Sequence, residues 1–75
     1  ELESELIRNI EELPLECRTV FKKNRFEQKK YEEIAIELNI SVNTVKYHMK
    51  KALSCLQQRM EKYLKLLVLY VFLGN

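Results

Sequence analysis

One glycine, one proline and no tryptophan occur in a chain of 75 residues. Architectures built from many tight turns, the β-sandwiches and barrels, draw heavily on glycine and proline, and no run of alternating β-branched residues is present to supply their strands. The two cysteines, Cys17 and Cys55, are isolated, with no Cys-x-x-Cys spacing. A disulfide scaffold or a thiolate zinc site is therefore not indicated, and both read as reduced, semi-buried thiols of a cytoplasmic protein. His48 is the single histidine, which removes a histidine-rich metal site and any Ser/His/Asp constellation. A glycine-rich phosphate loop is missing as well. No nucleophile and base, metal set or cofactor cradle can be assembled from what remains, so the chain is read as a non-enzyme with no catalytic residue, no cofactor and no metal. It begins at Glu1 rather than methionine and is read as part of a longer protein.

What is present is leucine, glutamate and lysine, residues that favour helix. The expectation is an all-α fold: a small helical bundle of four main helices, unrelated to winged-helix architecture, followed by an apolar helical tail. Seventy-five residues make one domain with a thin core. The net charge of +2 says little, but residues 1–16 hold six acids against one base and residues 17–75 twelve bases against five acids, net charges of −5 and +7. An acidic lobe at one end and a basic lobe at the other would turn only the latter towards a polyanion.

Along the chain, Leu2, Leu6, Ile7, Ile10 and Leu13 recur at helical intervals, predicting a first helix over residues 2–12 that Pro14 ends. Pro14 also suits the first position of a second helix reaching about Phe26, with Glu16 at the positive end of its dipole. In that helix Leu15, Cys17, Val20 and Phe21 are expected inside, and Arg18, Lys22, Lys23 and Arg25 mostly outside. Glu27 to Lys30 reads as a loop from the change of period alone, because it has neither a turn glycine nor a capping residue before Tyr31.

The densest pattern is Tyr31 to Leu56. Ile34, Ala35 and Leu38 mark one short helix, with Ala35 small enough for another helix to approach closely. Asn39 can close that helix in the left-handed conformation, Ile40 plugs the turn, and Ser41 caps a following helix from Val42 by accepting from the backbone N–H of Asn43 or Thr44. In that last helix Val45, Met49, Ala52, Leu53 and Leu56 form an apolar stripe, with Val45 and Leu53 expected against Ile34, Ala35 and Leu38. Asn43, Lys46, Tyr47, Lys50 and Ser54 occupy the opposite face. This is a helix-turn-helix whose second helix carries donors and positive charge outward, the layout that enters a major groove. Tyr47 on that face suits either a thymine methyl or a phosphate. Lys29, Lys30 and Tyr31, at the start of the first motif helix, would meet a phosphate, and His48, at the edge of the stripe, is expected to pack beside the tail.

The tail from Tyr63, YLKLLVLYVFLGN, is almost wholly apolar but about half the ~20 residues that span a bilayer. It is read as no membrane segment. The domain is placed at residues 1–59, with residues 60–75 as a helical tail for self-association or docking. Met60, Tyr63, Leu64 and Leu67 would continue the stripe, and residues 64–73 would offer a surface to a second copy.

Three stretches, LPLECRTVF (Leu13–Phe21), RFEQKKYEEIA (Arg25–Ala35) and LNISVNTVKYHMKKAL (Leu38–Leu53), together resemble the C-terminal promoter-reading domain, region four, of bacterial sigma factors of the extracytoplasmic-function group. The resemblance covers most of residues 6–58. It departs where that group commonly has Gly-Leu-Ser and this chain has Gln28, Lys29 and Lys30. The apolar tail is similar to one in sigma factors of the Bacteroides group. The resemblance implies binding of double-stranded promoter DNA at the minus-thirty-five element, core RNA polymerase as a partner, and an anti-sigma factor that masks the domain. It puts Asn43, Lys46, Tyr47, Lys50 and Lys51 on the face towards the major groove, and Thr44 at a position that supports the helix start or a phosphate. The effector domain of a response regulator, which carries a similar S-V-N-T-V-K-Y-H run, is the alternative.

Overall fold

The computed structural model describes residues 1–61, the side chain of Leu2 excepted. Four helices occupy them: α1 (Leu2–Glu11), α2 (Leu15–Arg25), α3 (Tyr31–Leu38) and α4 (Val42–Arg59). The tail expected over residues 64–73 lies outside the described residues. Helix α4 is the hub, packing against α1, α2 and α3. Val20, Ile34, Val45 and Ala52 are fully buried at its contacts, joined by Ile10, Leu13, Cys17, Phe21, Ala35, Met49 and Leu56. Met60, just past the end of α4, is buried too.

The local chemistry of α1 and α2 explains their limits and corrects four expectations. Pro14 is the residue before α2, not its first turn: at φ −52° and ψ 145° it is extended, and its carbonyl accepts from Arg18 N–H at 2.8 Å. Leu15 is 64% exposed rather than inside. The buried face of α2 is Cys17, Val20 and Phe21, and Leu15 lies about 165° around the helix from the centre of that face. Leu6 and Ile7 are exposed as well, because only the last turn of α1 is covered: Asn9 and Ile10 are buried. Asn9 is satisfied there, donating from Nδ2 to the Glu5 carbonyl at 2.7 Å. Arg18, Lys22 and Lys23, expected mostly outside, are half-buried and held by Glu11 and Glu37.

The α2–α3 loop finds substitutes for the residues it lacks. Gln28 takes the left-handed conformation, φ 58°, that glycine adopts without strain. The loop is tied down by Asn24 Nδ2 donating to the Lys29 carbonyl at 3.0 Å and by Glu37, which pairs with Lys23 at 2.9 Å and Lys29 at 2.5 Å. The start of α3 is capped in reverse: Glu33 reaches back, its Oε1 accepting from Lys30 N–H at 2.7 Å, half of a capping box.

The Glu37 contacts titrate. Hydrogen bonds from Lys29 and then Lys23 hold the Glu37 carboxyl below its ordinary range. A depressed carboxylate contributes stability that is complete above its unfolded pKa and lost as pH falls through the folded one. Acidification below the ordinary carboxylate range should therefore lower the melting temperature, and Glu37→Gln should flatten that dependence. Both effects should shrink at high salt, because the groups are solvent-accessible.

The turn between α3 and α4 follows its residues closely. Asn39 sits at φ 56°, ψ 48°, and two bonds close the helix behind it, Asn39 N–H to the Ile36 carbonyl at 3.3 Å and Ile40 N–H to the Ala35 carbonyl at 3.0 Å. This is the Schellman pattern. Ser41 Oγ accepts from Thr44 N–H at 3.0 Å and lies 2.9 Å from Thr44 Oγ1. Ser41→Ala should cost about 1 kcal/mol of stability; a denaturant midpoint unchanged by the substitution would mean the cap contributes nothing.

The stripe on α4 needs one correction. Its buried members are Val45, Met49, Ala52 and Leu56, whereas Leu53 is 43% exposed. At about 100° per residue Leu53 falls some 70° from the centre of the buried four, at the edge of the stripe and not within it.

Candidate nucleic-acid interface

Helix α4 contains Lys46, Lys50, Lys51 and Arg59 and no acidic residue across its 18 positions. Arg59 is spoken for by Glu12. The three lysines, with Asn43, Tyr47 and Ser54, are exposed, on the side turned away from the core by the buried stripe. The Asn39–Ser41 turn fixes where this face begins, since the cap starts α4 at Val42 and thereby sets the rotation of every later side chain.

Thr44 is half-buried, its hydroxyl directed to Ser41, which makes it a support of the helix start. Tyr31 is half-buried at the start of α3. It joins Lys46, Met49, Lys50, Leu53, Ser54 and Gln57 in lining an open groove of about 520 Å³. The structure thus brings Tyr31 together with Lys46 and Lys50. Lys30 is exposed at the α3 N-terminus but not among the lining residues. Lys29 turns towards Glu37 and Glu27 instead, and its ammonium pKa is raised, chiefly by Glu37. The α3 start is also less inviting to a phosphate than its N–H groups alone suggest, because Glu32 and Glu33 occupy the first turn.

Leu53 and Gln57 are groove residues that the sequence reading did not assign to this face. The signal was present: position 53 follows Lys50 by three residues, and position 57 follows Ser54 by three and Lys50 by seven, so they stack along one side of the helix. His48 meets α2, its Nδ1 3.8 Å from Cys17 Sγ; the tail it is expected to pack beside lies outside the described residues. Burial pushes the Cys17 thiol pKa up, Lys51 partly offsetting it, so it is a packing partner and not a nucleophile. Both cysteines are free thiols. On the α2 side of α4, Leu15, Glu16, Thr19, Val20, Leu38, Ile40 and His48 line a separate cavity of about 280 Å³.

A protruding basic helix behind a tight capped turn is suited to lie in a major groove, with side chains at base edges and lysines near phosphates. Among the described residues no helix is long and apolar enough to cross a membrane. No curated protein and no solved structure matches the chain. The profile of the family described as Sigma-70, region 4, however, matches residues 3–56, a span that takes in all of α2, α3, the capped turn and the basic face of α4. The chain belongs to the sigma-70 region 4 family.

Proposed function

We propose that this chain reads the minus-thirty-five element of promoters for an extracytoplasmic-function sigma factor of the Bacteroides-like kind, with Asn43, Lys46, Tyr47, Lys50 and Lys51 on the groove-facing surface. Family membership already makes DNA-binding promoter recognition by a sigma factor the coarse function. The observation that supports DNA reading by this face is the acid-free α4, whose exposed lysines stand on a turn built to hold them in one register; the extracytoplasmic-function and Bacteroides-like assignment rests on the sequence resemblance. Tyr31 and Lys30 flank it at the start of α3, and Thr44 stiffens its first turn. The family match favours this reading over the response-regulator alternative.

Core RNA polymerase and an anti-sigma factor are the protein partners in this reading, in the cytoplasm. A second copy, held through residues 64–73, belongs to it too. Sedimentation of the chain with and without residues 64–75 tests that contact: the full chain should sediment as an oligomer and the truncated one as a monomer.

The experiment for the main claim is selection of randomised duplexes by the purified chain. One motif should emerge, with each mismatched base pair costing about 1–3 kcal/mol. A pool that stays random after repeated rounds, with binding governed by salt alone, would refute sequence reading by this face.

A further inference from the structure

Tyr47 is the most exposed large hydrophobic side chain on α4, 59% of it open to solvent. At about 100° per residue it projects about 170° from the mean direction of Val45, Met49, Ala52 and Leu56, which places it at the crest of the helix. Its neighbours one turn away, Asn43, Lys50 and Lys51, are exposed and polar. An aromatic ring in that position would be of little use if it swept freely, but this one is braced. The His48 ring meets it edge-on at 5.5 Å and 64°, and Lys51 Nζ lies 6.0 Å from its centroid. His48 is itself fixed against the buried Cys17 of α2. The ring is thus positioned from the core outward, which reduces the rotamer freedom lost on binding.

The crest of a helix seated in a major groove meets the groove floor, while its flanks meet the phosphate walls. On that floor the base edges present donors, acceptors and one apolar group, the 5-methyl of thymine. The lysines beside Tyr47 are suited to phosphates and to guanine O6 and N7; a braced aromatic surface between them is not. We infer that Tyr47 is a specificity residue that reads a thymine through its methyl group. The inference rests on the docking of α4 proposed above, and it assigns one base at one position of the site.

Deoxyuridine differs from thymidine only by that methyl, so it isolates the contact. In the motif selected by the full chain, each thymine is replaced in turn by deoxyuridine and affinity is measured. One position should lose about four-fold, the equivalent of one methyl left in water. The Tyr47→Phe variant should keep that sensitivity, and Tyr47→Ala should bind the two duplexes equally. The inference is overturned by a motif without thymine, by equal binding of both duplexes to the parent chain, by a loss that persists in Tyr47→Ala, or by a uniform weakening in Tyr47→Phe that marks a hydroxyl–phosphate bond. Failure of this inference alone leaves a motif still selected; failure of the docking reading leaves no motif at all. Far-ultraviolet circular dichroism of the variants confirms that the exposed substitution leaves the helices formed.

Discussion

Ile34→Ala should leave the domain largely unfolded or close to it. Ile34 is fully buried on α3, in the same core as Val45 and Ala52 of α4, which are equally inaccessible. Truncating a buried isoleucine removes apolar burial and leaves a cavity that a rigid helix pair cannot close, at a cost of about 2–5 kcal/mol. A domain this small holds a total stability of about 5 kcal/mol, so one such change is comparable with the whole. Leu53→Ala is the matched control. With 43% of Leu53 exposed, its loss should stay below about 1 kcal/mol. Chemical denaturation of both variants decides the matter: equal midpoints would mean that the assignment of buried and exposed faces on α3 and α4 is wrong.

The second large effect concerns binding. Lys46→Ala and Lys50→Ala should each weaken the selected duplex, and the way they do so separates two roles. A lysine on a base edge is worth about 1–3 kcal/mol, and losing it relaxes preference at that base pair. A lysine on a phosphate weakens specific and scrambled duplexes alike and lowers the slope of log affinity against log salt by about 0.9. Affinity unchanged for both variants across the salt range would remove these lysines from the interface.

Much of this arrangement is legible in the residues because the information there is local. Asn39 with Ile40 and Ser41 specifies a left-handed close and a cap within a few positions of sequence, and the structure forms each of those bonds. Apolar periodicity is less complete. It marks the stripe of α4 but not its edges, since whether Leu53 is covered depends on where α3 happens to end laterally, a tertiary fact. Leu15 and Ile7 mislead for the same reason: helical spacing shows that a face exists, and only the neighbouring helix decides how far along the chain that face is used. The α2–α3 loop was opaque for another reason. Its left-handed residue is Gln28 and its helix is capped backwards by Glu33, so neither turn glycine nor capping serine was there to read. The groove beside Tyr31 joins residues more than a dozen positions apart and becomes visible only once α3 and α4 are packed.

The central claim is that the outer face of α4 is the DNA-reading surface, and amide chemical-shift mapping of the isotope-labelled chain during titration with the selected duplex tests it directly. The largest shifts should fall on Asn43, Lys46, Tyr47 and Lys50, with smaller ones at Lys30 and Tyr31 and none beyond noise over α1. Shifts concentrated instead around Leu15, Thr19, Ile40 and His48, with the lysine face of α4 silent, would contradict it.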